Sequence, residues 1–296
     1  MGQLAEFAVT WQLVPLVAVA LSGVTVAYLA AALTVTGRHP SQPWRARHTL
    51  FFLAGVLVLL SVTLGPIGAY DDTFFWAHMA QHIALMMLAA PLLLLGEPVL
   101  LVLRVCSRDT RRRYVVPFLH SRIVRFATHP VVAWLVFAGV LMGTHFTGFY
   151  EYALAHPPVH DYVEHALFLG AGLLYFYPLL GTSPGAALSG RAKVASMALM
   201  MALEVGVGVA IASRGQVMYL YYSAVTERPW GPPTALADQR LAGELMWSTG
   251  LILNAGWLGV AGWKWVRSAP LGDRRNSSVL RKLRGSRAGL EGLASP

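Results

Sequence analysis

The sequence predicts an all-α, polytopic membrane protein: a bundle of seven transmembrane helices, N-terminus outside and C-terminus cytoplasmic. Three observations predict it. Hydrophobic residues make up 56% of the 296 positions and charged residues only 12%, a balance unlike that of soluble domains. Several apolar runs reach the ~20 residues needed to cross a bilayer. Lys and Arg gather on alternate connections: 20 of the 23 lie in or directly beside 37–48, 96–129, 181–192 and the tail from Lys264, an asymmetry that marks cytoplasmic loops.

In chain order the spans are expected at 11–36, 49–69, 73–95, 130–146, 159–180, 193–213 and 240–266. The fourth is short. The stretch Met1 to Thr10 contains Glu6 but no Lys or Arg, so the first span reads as a retained helix rather than a cleaved signal. The spans fill residues 1–267 as one membrane domain, and 268–296 reads as a basic, disordered cytoplasmic tail.

Composition also excludes. The net charge of +9 belongs to inner loops, where lipid headgroups suffice as partners for Arg108 and Arg111 to Arg113; nucleic acid is not implied. A single cysteine, Cys106, permits neither an internal disulfide nor a binuclear thiolate copper centre. Lys264, the one lysine of the seventh span, sits at its inner end, which argues against a retinal pump. The outer side has the opposite character. It holds nine of the 14 carboxylates (Glu6, Asp71, Asp72, Glu151, Asp161, Glu164, Glu227, Asp238, Glu244) and six of the ten histidines (His78, His82, His145, His156, His160, His165). That face attracts cations.

The third span runs Asp71-Asp72-Thr73 into His78-Met79-Ala80-Gln81-His82 and Met86-Met87. Asp72 or Thr73 is expected to cap it. His78, His82 and Met86 fall at i, i+4 and i+8, one stripe ~12 Å long. Two imidazoles at this spacing hold a metal, and a thioether on the same face suits cuprous copper. Two core histidines with gap-filling methionines fit the same pattern. The fifth span opens with Pro157 and Pro158, then His160, Asp161, Glu164 and His165. Ionisable groups in a membrane span are functional by default, although Asp161 also suits the helix dipole. His145 ends the fourth span at the same level. The seventh adds Asp238, Glu244 and Met246, where Asp238 as a cap and Glu244 paired with Arg240 are the structural alternatives. In the sixth span Met197, Met200 and Met201 read as core, whereas Glu204 near the midplane is an intramembrane acid that needs a partner.

These elements, in this order, resemble the CtaG family of membrane proteins that assemble caa3-type cytochrome c oxidases. The resemblance lies in His78-Met79-Ala80-Gln81-His82 leading to Pro91 and Gly96-Glu97-Pro98, in Tyr150-Glu151-Tyr152, in His160-Asp161-Tyr162-Val163-Glu164-His165, and in Asp238-Gln239-Arg240 through Met246-Trp247. It covers roughly residues 50–265. It implies a non-catalytic role in maturing a haem-copper oxidase in the bacterial cytoplasmic membrane, with oxidase subunits and the bilayer as partners and copper supply as the task. The family does not supply the ligands; those follow from the residues. Cuprous ion is expected on His78, His82, His160, His165 and His145, with Met86 and Met246 as softer ligands and Glu164, Asp161, Asp238 and Glu244 behind them. Two other classes stay open. In a b-type haem or quinone protein, histidines of the third and fifth spans would pair on iron. In a metal transporter, Glu204 would lie on the path.

Overall fold

The computed structural model describes residue 7 and residues 9–181 and 188–268, with the side chains of 261–268 outside the description. Glu6, the side chain of Lys264 and the expected tail beyond 268 therefore lie outside the described residues. Every regular element among the described residues is helical.

Five helices are long and apolar enough to cross a membrane: α1 (Pro15–Arg38), α2 (Ala46–Tyr70), α3 (Phe75–Val105), α5 (Val159–Leu180) and α6 (Gly190–Ala212). The other two expected spans are helices of different proportions. Between α3 and α5, α4 (Pro130–Phe146) has 17 residues, about 26 Å against a ~30 Å hydrocarbon core. The last, α7 (Ala235–Ser268), has 34 residues and starts five positions before the expected boundary. The seven expected crossings thus correspond, among the described residues, to five helices of membrane-spanning length and composition and to these two. Large apolar side chains cover the outside of α1, with Val19, Val26 and Leu33 all exposed, as on a helix facing lipid.

The helix ends follow local chemistry. Proline opens α1 and α4, its missing N–H falling where no intrahelical bond is due. The Ser189 hydroxyl accepts from the Ala192 amide and starts α6. The head of α3 is different. Neither Asp72 nor Thr73 caps it, because Phe74 occupies the N-cap without a side-chain bond. Instead the carboxylate of Asp238, from α7, accepts from Phe75 N at 2.8 Å and Trp76 N at 3.1 Å. Arg228 Nη1 pairs with the oxygen that caps Phe75, Oδ2, at 2.8 Å.

Two helices widen where prolines disturb them. In α3 the turns over Ala84–Ala89 are π-type and run into Pro91, which has no N–H and crowds the carbonyl four residues earlier. A break follows at Gly96 and Glu97, the latter left-handed with φ 50°, before Pro98 restarts the helix. In α5 the turns over Val159–Glu164 are also π-type and follow Pro157 and Pro158. A π turn bonds i to i+5, so it brings His160 and His165 towards one face. In a regular α-helix, five positions apart, the two would lie on different faces.

Helix α3 is the centre of the bundle. It packs on α2, α5 and α7, while α6 lies along α7 and α4 covers α5 and α6. Glycines permit the tightest contacts. A Cβ on Gly208 of α6 would stand 2.7 Å from the Trp247 amide nitrogen, and one on Gly243 of α7 2.5 Å from that of Ala212. A Cβ on Gly172 of α5 would meet the Met86 carbonyl at 2.7 Å, which seats α5 against the widened part of α3. Close backbone approach at small residues is how helices associate in lipid.

Gly243→Leu is expected to separate α6 from α7 and lower thermal stability in detergent by roughly 1–3 kcal/mol or more; Gly256→Leu, which meets nothing within 4 Å, serves as the neutral control. Asp238→Ala strands Arg228 and two amides of α3, and is expected to cost roughly 3–5 kcal/mol in the same melt.

Candidate metal centre

Where α3 and α5 face each other near their starts, the bundle is polar. His78, Gln81 and His82 come from α3, His160, Glu164 and His165 from α5, and Asp71 from the bend before α3; all seven are buried. The imidazoles form one group. Ring centroids lie 3.8 Å apart for His78 and His82, 5.2 Å for His78 and His160, and 4.8 Å for His160 and His165.

Glu164 joins the two helices. Its Oε2 accepts from His160 Nδ1 at 2.8 Å. That bond fixes the tautomer and leaves the His160 Nε2 lone pair unused. Its other oxygen, Oε1, stands 3.5 Å from both His78 Nε2 and His82 Nε2. Those separations exceed the 2.7–3.2 Å of a hydrogen bond. Both ring nitrogens of His78, His82 and His165, together with His160 Nε2 and Glu164 Oε1, are buried without a hydrogen-bond partner. At ~1–3 kcal/mol for each buried unsatisfied group, their sum rivals the ~5–15 kcal/mol net stability of a whole domain. Orphans in such number, all of ligand type and all converging, fit a cation.

Two overlapping donor sets lie within 4.8 Å: His78, His160 and Glu164, and Asp71, His160 and His165. Asp71 Oδ2 is 3.2 Å from His160 Nε2, near but out of hydrogen-bond line. Gln81 Nε2 donates to the same oxygen at 2.6 Å and to Val62 O at 2.7 Å. Burial pushes the Asp71 carboxyl above its ordinary range, opposed by His160 and Gln81. Tyr150 packs on His78 with centroids 4.3 Å apart. Its hydroxyl bonds Tyr222 at 2.7 Å, and Tyr222 in turn donates to Asp71 O at 2.6 Å. Burial raises both phenols far above their usual value, so they stay neutral and act as donors.

The structure divides the expected ligand set. His145 Nδ1 is engaged by Leu141 O at 2.8 Å, and its ring lies 5.8 Å from that of His82. Met86 and Met246 line a small internal cavity with His82 and His145, further along α3, rather than the imidazole group. Glu204 reaches the same cavity and is bonded by the amide of Asn254.

Other candidates fall away from the centre. His156 is exposed, with Nδ1 on Tyr152 O at 2.8 Å. Asp161 is half-buried at the rim and belongs to neither donor set. Asp238 does not stand behind a ligand: it caps α3 and pairs with Arg228. Glu244 is exposed on α7, as is Arg240, so it has no place behind a ligand. Conversely, the sequence left Gln81, Tyr150 and Tyr222 unassigned and placed Asp71 among the outer carboxylates near the histidines without a role at the site. For Asp71 and Gln81 the signal was available: a carboxylate shortly before a histidine helix, and an amide one turn on from its first histidine and adjacent to its second.

A model of the cytochrome c oxidase caa3 assembly factor family, CtaG, matches residues 26–268. Uncharacterised proteins of Mycobacterium bovis and Mycobacterium tuberculosis are each 27% identical over 252 residues, covering 83% of this chain and 38% of theirs. One from Mycobacterium leprae is 24% identical over the same length and shares. The chain thus spans well under half the length of these relatives. No solved structure matches. On the family match over most of its length, the chain belongs to the CtaG family of cytochrome c oxidase caa3 assembly factors.

Proposed function

We propose that this protein serves oxidase assembly by holding a copper ion in the pocket between α3 and α5 and passing it to the immature enzyme. The observation that carries this reading is the buried donor set of His78, His160 and Glu164, whose ligand atoms lie within 4.8 Å of one another, with Glu164 Oε1 3.5 Å from His78 Nε2. Donors on one tetrahedral ion at bond lengths of ~2.0–2.2 Å stand ~3.4 Å apart. The separation of Glu164 Oε1 from His78 Nε2 is too wide for a hydrogen bond and right for two atoms that share an ion, and His82 Nε2, 3.5 Å from the same oxygen, stands beside that set. His160 Nε2 and, with Asp71, His165 offer a second set of donors one step away, so an ion can exchange ligands without entering a closed thiolate cage. Glu164 acts twice, orienting His160 through one oxygen and facing the ion through the other.

The Lys and Arg distribution supports seven crossings with the N-terminus outside. That orientation places the pocket at the outer face of the bacterial cytoplasmic membrane. The work is binding and transfer to oxidase subunits, with no substrate turned over. The transporter reading leans on Glu204, which is bonded by Asn254.

In the purified full chain loaded with Cu(I), His78→Ala/His82→Ala is expected to lose copper and, in cells, oxidase activity. Normal copper retention with a normal oxidase in that variant rejects the pocket as drawn, and a Soret band on the wild type returns haem to first place. Glu164→Gln keeps an acceptor for His160 but removes the charge. Copper affinity is expected to fall ~10–100-fold, read by competition with a chromophoric Cu(I) chelator.

A further inference from the structure

Beyond the imidazole group, towards the middle of α3, lies the small cavity. Three helices supply its soft lining: Met79, His82, Met86 and Met87 from α3, His145 from α4 and Met246 from α7; Glu204 closes one end from α6. Methionine is a common gap-filler in cores, so thioethers alone mean little. Here they surround two imidazoles with lone pairs to spare. His82 has no partner at either nitrogen, and His145 commits only Nδ1, to Leu141 O and Thr144. The volume, about 20 Å³, admits a single water-sized particle, which takes ~10–15 Å³. It is too small for an organic ligand.

The donor chemistry differs from that of the first pocket. There, imidazoles mix with the carboxylates of Asp71 and Glu164; here, thioethers mix with imidazoles. Soft sulfur donors favour Cu(I) over harder divalent ions. A monovalent cation among neutral ligands in an apolar bundle still needs a counter-charge, and Glu204 stands at the cavity wall. His82 belongs to both places: its Nε2 is 3.5 Å from Glu164 Oε1, and its ring lines the cavity.

We infer that the protein has a second metal station, selective for cuprous copper, formed by Met86, Met246, Met79 and His145 around this cavity and joined to the first by His82. The station rests on the copper reading of the first pocket and extends it. Copper passes between the two by ligand exchange at His82, with no change of oxidation state. Met86 and Met246, which the sequence alone assigns to one site with the histidines, belong to the second station.

The test uses the full chain in detergent, carrying Cys106→Ser to remove the one thiol, loaded with Cu(I) in a reducing buffer. Copper per chain and sulfur scattering in the copper X-ray absorption spectrum are measured together. The parent is expected to bind two ions and show copper–sulfur scattering. Met86→Leu/Met246→Leu, which conserves volume, is expected to bind one ion without sulfur scattering. His78→Ala/Glu164→Gln is expected to keep one sulfur-ligated ion. A parent that binds one ion, unchanged by the methionine variant, overturns the second station and leaves the first pocket standing. One ion that is lost with the methionines overturns the division into two stations. No bound copper overturns both readings.

Discussion

The charge of Glu164, buried between two helices that each bring imidazoles to it, organises one half of this bundle. Its two oxygens make different contacts, one a hydrogen bond that sets a histidine's tautomer and the other an approach to two imidazoles at a distance that no hydrogen bond explains. An apolar bundle does not tolerate so many buried ligand atoms unless they are satisfied together. The helices that carry them are accordingly held by polar contacts at their ends. Asp238 caps α3 from α7, and Gln81 ties Asp71 to the end of α2 through Val62 O.

Much of this was legible in the order of residues. Composition and apolar run length gave helices in all seven expected places, and the i,i+4 spacing of His78 with His82 and of His160 with Glu164 put each pair on one face. Convergence of α3 and α5 followed from the improbability of stranding so many ionisable groups in lipid. The parts that were not legible depend on tertiary partners or on irregular helix. Asp238 reads locally as the cap of its own helix, and nothing near it in sequence shows that it caps α3. His160 and His165 align through a π turn, which a regular 3.6-residue period cannot foresee. Met86 lies on the same stripe as His78 and His82, yet the helix widens between Ala84 and Ala89 and delivers its thioether to a separate cavity.

Helix irregularity and function are linked here by proline and glycine. Pro91, Pro157 and Pro158 disturb α3 and α5 beside the histidines, and Gly172 lets the two helices meet at the disturbed turn. The histidines themselves sit on buried, close-packed helix rather than on loops. That holds donors at fixed separations with little rearrangement, which favours binding geometry over adaptability. The mycobacterial relatives match over 252 residues, 38% of their own length, so the similar stretch lies within longer chains there.

The cap on α3 spans 163 positions of sequence, and that separation bears on biogenesis. A ribosome delivers the histidines of α3 long before it delivers Asp238. Until α7 enters the bilayer, the two leading amides of α3 have no acceptor and its first turn is free to fray. The ligand pocket therefore reaches its final geometry late in synthesis, when the last helix locks the first histidine pair in place. A nascent chain that has emerged only as far as α5 carries the histidines without the clasp that closes the head of α3.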